Sequence, residues 1–209
     1  MAIDELLDEH EQSERVREWL RRNGSALIFG IALGLAAIGG WQWWQRHQAT
    51  KQSQAAADYK AAVDAIQAND KAAAAKAQAV PEGIFRALAQ LELAKSQVQA
   101  NQTDAAIATL KSIQIEEPAL AAIVNQRLAR LLIDAKQADA ALKLMANADS
   151  LAALEIRGDA QLALGQRDRA RDSYTKALLK AEIGAPQRRV LELKLTEAGG
   201  TPPKTESQS

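Results

Sequence analysis

Hydrophobic and polar positions divide this chain into two regimes. From Asn23 to Gln45 no position is charged, and the run NGSALIFGIALGLAAIGGWQWWQ has no polar face at helical spacing. As a helix at about 1.5 Å per residue it spans roughly 35 Å, enough to cross a hydrocarbon core of about 30 Å. Beyond it, apolar positions recur three and four residues apart in short blocks separated by polar turns, the pattern of amphipathic helices. The expected fold is all-α. One N-terminal transmembrane helix (23–45) follows a cytoplasmic segment (1–22) and precedes a helical-hairpin repeat domain (46–198). A polar tail over 199–209, GGTPPKTESQS, carries no apolar periodicity and is expected to be disordered.

The repeat is visible in three aligned stretches. NQTDAAIATL (101–110), KQADAALKLM (136–145) and GQRDRARDSY (165–174) share a Gln-x-Asp-x-Ala pattern followed by a large side chain. The spacings of 35 and 29 residues suit stacked helical hairpins. Asp104, Asp139 and Asp168 are expected to cap the second helix of each hairpin. Ala106, Ala141 and Ala170 lie one turn before Leu110, Met145 and Tyr174 on the same face. Upstream of each stretch runs another helix, FRALAQLELAKSQV (85–98), AIVNQRLARLLIDA (122–135) and LAALEIRGDAQLAL (151–164). Ala94, Ala129 and Gly158 hold its small positions. This order resembles the tetratricopeptide repeat, with Gly158, Ala170, Tyr174 and Ala177 matching its small–small–aromatic–small positions. Residues 46–80 predict a further, weaker helical pair. Ser13 is expected to cap a short helix, ERVREWLRR, ended by Asn23-Gly24.

Aromatic placement sharpens the membrane reading. All four tryptophans lie near the ends of the uncharged run, Trp19 before it and Trp41, Trp43 and Trp44 at its end. Indoles settle at membrane–water boundaries, so these four are interfacial anchors. A cleaved signal peptide fits poorly, because Gly-Gly-Trp-Gln-Trp-Trp follows the apolar core where a small-x-small site belongs. Arg15, Arg17, Arg21 and Arg22 precede the span, against Arg46 and Lys51 after it, so the N-terminus is expected in the cytoplasm. Ala26, Gly30 and Gly34 form a small-residue stripe suited to close helix contact in lipid.

Charge and chemistry then exclude more than they add. The chain has 26 acidic and 26 basic residues, and no basic field points to nucleic acid. It has no cysteine and two histidines, His10 and His47, which fall on opposite sides of the predicted span, so no metal or cofactor is expected. No phosphate loop or nucleophile elbow appears, and the protein is read as non-enzymatic. The first helices of stacked hairpins line a concave groove that suits peptide ligands. Leu88, Leu91, Lys95, Ile123, Gln126, Arg130, Glu155 and Asp159 are its candidate lining.

The runs from Glu11 to Gly34 and from Gly40 to Gln48 resemble the YfgM-type family, described as ancillary subunits of the bacterial SecYEG translocon. Asn23-Gly24, Gly30, Gly34, Gly40-Trp41 and His47-Gln48 carry the likeness, with ALAQLELA (87–94), VNQRLARL (124–131), KQADAALK (136–143) and RGDAQLALGQRDRARDSY (157–174). The resemblance implies a bacterial inner-membrane protein whose C-terminal domain is periplasmic. It implies association with SecYEG and with a membrane-anchored periplasmic chaperone of the prolyl-isomerase class. The reading is a tethered scaffold that assists the handling of secreted proteins. An alternative is an envelope stress regulator that sequesters a cytoplasmic signalling protein through its acidic N-terminal segment.

Overall fold

A computed structural model describes residues 2–203, with side chains from residue 13 onward. The acidic stretch expected to dock a cytoplasmic regulator (3–12) and the tail end (204–209) lie outside these described side chains. Among the described residues there are helices and no strands. Contacts divide the chain into two units, residues 1–54 and 55–209.

The first unit is the greater part of one helix, α1 (Ala2–Gln67). The stop expected at Asn23-Gly24 does not occur. A glycine stop needs a left-handed residue, and the described glycines with positive φ are Gly83, Gly165, Gly184 and Gly199. Asn23 instead donates from Nδ2 to the carbonyl of Trp19, 3.1 Å away, within the continuing helix. The apolar stretch of α1 is not buried at all inside the protein: Ile28, Phe29 and Leu35 are each at least 65% exposed.

The second unit is a stack of hairpins. It begins with the end of α1 and α2 (Ala73–Ala79), and continues with α3 (Ile84–Gln99) and α4 (Thr103–Ser112), α5 (Pro118–Asp134) and α6 (Ala138–Leu144), and α7 (Leu151–Ala163) and α8 (Arg167–Lys180). A final helix, α9 (Pro186–Glu197), packs on α8. Each hairpin turns in the same way. The left-handed residue is Asn69, Asn101, Lys136 or Gly165, and the next residue's N–H closes back onto the preceding helix, as in Gln102 to Gln97 and Gln137 to Leu132. Gly199 repeats the turn after α9, with the Gly200 N–H bonded to the Leu195 carbonyl at 2.9 Å. Five equivalent turns therefore register the array, and Gly199 and Gly200, expected in the tail, close its last helix.

The caps differ from expectation. Asp104, Asp139 and Asp168 sit inside the first turns of α4, α6 and α8, and Gln102, Gln137 and Gln166 hold the cap positions without side-chain cap bonds. The carboxylates favour the positive helix end by charge instead. Glu117 and Ser150 are the caps that bond. Glu117 accepts from the N–H groups of Ala119 and Leu120, and Pro118 opens α5 where no N–H is missed.

Small residues set the packing. Ala106, Ala129, Ala141 and Ala170 are fully buried, and Leu110, Met145 and Tyr174 fill the space one turn on. A close approach between helices marks the last hairpin: a Cβ on Gly158 would lie 2.4 Å from Cε1 of Tyr174. Arg157 turns back from the same helix and donates to the carbonyl of Met145, satisfying the end of α6.

Candidate ligand-binding groove

The first helices of successive hairpins, α3 and α5, line a groove of about 430 Å³. Its floor is apolar, from Leu91, Ala94 and Val98 on α3 and Leu131 on α5, with Leu110 of α4 behind. Its rim is charged. Glu92 and Lys95 stand on α3, paired at 3.3 Å, and Arg127, Arg130 and Asp134 on α5. The α5 residues recur at three- and four-residue intervals, so one helix face carries all of them. Apolar floor and mixed-charge rim suit an amphipathic peptide segment.

Of the eight residues expected here, Leu91, Lys95 and Arg130 line this groove. Leu88 is half-buried against the main core. Ile123 is 43% exposed, one turn before Arg127, and Gln126 is half-buried beside it. Glu155 and Asp159 belong to a different constellation. Lys194 of α9 donates to Glu155 at 2.7 Å and to both oxygens of Asp159 at 2.8 and 2.7 Å. Gln187 adds a bond to Glu155, and Arg130 stands 4.0 Å from the same carboxylate. Tyr174 donates its hydroxyl to Asp159 at 2.7 Å. Neighbouring first helices α5, α7 and α9 are thus tied by a ladder of charges. Sequence reading missed Arg127, Asp134 and Lys194. The register of the turn at Gly199 was the available signal for Lys194, because it marks α9 as one more first helix.

The ladder shifts each member toward the form its partners favour. Burial pushes the Glu155 carboxyl up, but the Lys194 ammonium and the Gln187 bond outweigh it and hold it below the usual carboxylate range. Burial pushes Lys194 down, and its two carboxylate partners more than restore it, so its ammonium is held above the usual lysine value. Burial raises the Tyr174 phenol, and the Asp159 carboxylate that accepts its proton raises it further. These groups are locked in their charged or neutral forms near neutral pH. That suits structure and fixed recognition, not proton transfer.

In the first unit, Trp19, Trp41, Trp43 and Trp44 are between 49% and 69% exposed. Trp43 stacks on His47 with ring centres 5.5 Å apart. A Cβ on Gly30 or Gly34 would meet nothing within 4 Å, so with Ala26 these positions leave an open helix surface.

Against known families, one described as a tetratricopeptide repeat-like domain matches residues 17–200. The chain belongs to that family. It is 36% identical over 94 residues to an Escherichia coli protein named ancillary SecYEG translocon subunit, covering 44% of this chain and 46% of that one. It is 28% identical over 97 residues to a Haemophilus influenzae protein of the same name, covering 44% and 48%. The chain thus spans about half the length of the curated relatives it matches. Both carry the name that the sequence resemblance implies. No solved structure matches.

Proposed function

We propose that this protein is a non-enzymatic scaffold, anchored in the bacterial inner membrane by α1 and accessory to the SecYEG translocon. The observation that carries the anchor is the exposed apolar stretch of α1. Its side chains find no protein cover, and lipid removes the cost of leaving them in water. The names of the two relatives support the translocon as the assembly it serves. The arginines before the span support a cytoplasmic N-terminus and a periplasmic repeat domain.

On this reading the groove between α3 and α5 holds a segment of a membrane-anchored periplasmic chaperone, or of a secreted chain in transit. Tethering raises local concentration, so contacts too weak to hold free partners suffice. Photo-crosslinking in native membranes tests both halves, with one probe at Gly30 and another at Arg127. Translocon subunits at Gly30, with a chaperone or secretory chains at Arg127, are expected. Self-crosslinks alone at both sites would refute the scaffold.

A further inference from the structure

The chain between α4 and α5 offers a surface that the groove does not use. Residues 113–117, Ile-Gln-Ile-Glu-Glu, belong to no helix, and the backbone is extended at both ends, with φ/ψ of −70/116° at Ile113 and −72/116° at Glu117. Ile113 and Ile115 are half-buried against the main core, while Gln114 and Glu116 are exposed. This alternation is that of a strand with one face down. Among the described residues, the N–H groups of Gln114, Ile115 and Glu116 and the carbonyls from Ile113 to Glu116 take part in no backbone–backbone hydrogen bond. Beside them opens a concavity of about 1070 Å³.

Two further features give that concavity a chemistry. Gln90 of α3 lines it and is 94% buried, at 6% relative exposure. Its amide nitrogen reaches Ser112 Oγ at 3.3 Å, and its carbonyl oxygen accepts from no described residue. The lining is also acidic: Glu82, Glu116 and Glu117 face a single guanidinium, Arg86. Arg86 is already committed, with Nε on the Val80 carbonyl and its terminal nitrogen on Glu82 at 3.2 Å.

We propose that residues 113–117 form a docking edge on which an extended, lysine- or arginine-bearing segment of another polypeptide adds as a strand. The free N–H and C=O groups supply the pairing, as in other cases of strand addition to an open edge. Ile84, half exposed at the start of α3, offers an apolar contact for one side chain of the segment. Glu82 and Glu116 select basic side chains at alternate positions. The Gln90 carbonyl accepts from the segment's backbone or from a lysine. This edge is independent of the translocon assignment and of the α3–α5 groove.

The test uses the full-length chain in nanodiscs and a fluorescein-labelled peptide, Lys-Val-Lys-Val-Lys, read by anisotropy at low salt. The first comparison peptide is Glu-Val-Glu-Val-Glu. The second is the basic peptide with both valine amides N-methylated. Binding of the basic peptide, weakened about tenfold in each comparison, is expected from the loss of one or two net hydrogen bonds or of charge pairing. In the protein, Gln114→Pro deletes an N–H that no fold contact uses. Ile113 already has the extended backbone that a following proline requires. Gln114→Pro should therefore keep its melting temperature and weaken binding about tenfold, while Gln114→Ala should bind as wild type. Equal binding of the N-methylated peptide, of the acidic peptide or by Gln114→Pro overturns the proposal. If Gln114→Pro unfolds, the N-methylated peptide alone decides. A wild-type dimer that Gln114→Pro dissociates would assign the edge to a second copy and also overturn it.

Discussion

Gly158→Ala is the most informative single change in the repeat domain. An alanine is favoured over glycine in a helix interior by about 1 kcal/mol, so an unconstrained site would gain stability. This site is constrained. The new Cβ would lie 2.4, 2.6 and 2.8 Å from Cε1, Cδ1 and Cζ of Tyr174. Carbon atoms rest at roughly 3.5–4.0 Å, so the ring must retreat by about 1 Å. Tyr174 is fully buried, and its hydroxyl is held by Asp159, which Lys194 also binds. Overpacking costs typically about 1–3 kcal/mol, and a strained bond to a carboxylate adds about 1–2 more. The net expectation is a loss of about 2 kcal/mol, or roughly 4–8 °C in Tm for a domain of this size. Urea unfolding of the full chain in detergent micelles, followed by circular dichroism, should lower the midpoint without changing the slope. Adding Tyr174→Leu should reveal a coupling that offsets part of the two separate losses. A Gly158→Ala protein more stable than wild type would refute the close approach.

Other changes probe the remaining parts. Lys194→Met leaves the buried Glu155 and half-buried Asp159 carboxylates without their ammonium and should cost about 2–4 kcal/mol at neutral pH. The depressed Glu155 carboxyl contributes stability that is full above its ordinary value of 4.5 and is lost as pH falls through its lower folded value. Without Lys194 that dependence should reverse, with the variant gaining stability as acid neutralises Glu155; denaturant midpoints between pH 3 and 7 measure it. Lys136 is held left-handed at φ 62°, so Lys136→Gly should stabilise by about 1 kcal/mol in the same unfolding assay. Reversing the groove rim with Arg127→Glu and Arg130→Glu should abolish partner crosslinks at a probe on Lys95 while leaving those at Gly30, read by mass spectrometry of membrane fractions.

Legibility followed the range of the interactions involved. Periodicity and uncharged length are local, so the exposed apolar helix stretch and three hairpins could be read directly. The small–large pairs Ala106/Leu110, Ala141/Met145 and Ala170/Tyr174 are as buried as their spacing predicts. The fourth hairpin was weaker because its turn, Asn69-Asp70, lacks the glutamine of the others, although its backbone is the same. Cap positions were misplaced by two residues, since an aspartate suits both the cap and the first turn. Three of the eight expected groove residues line it. Arg130 lies on the face that the periodicity selects, but the partner of Glu155 and Asp159 is 35 to 39 residues downstream, and no local pattern encodes that pairing.

The distribution of aromatic residues follows from what each unit must bury. On the proposed membrane reading, indoles at the ends of a helix fix its depth without any partner, and all four tryptophans lie on α1. In the repeat array, alanine and glycine let helices approach closely; Tyr174 fills the space at Gly158, and Tyr59 and Phe85 pair at 5.8 Å against the smaller core beside α2. Charged side chains tie α5, α7 and α9 through the Glu155 ladder, while α3 and α5 leave a groove open. On the proposed tethered reading, effective concentrations near the millimolar range would let a groove of modest affinity be filled by a partner at the same membrane site.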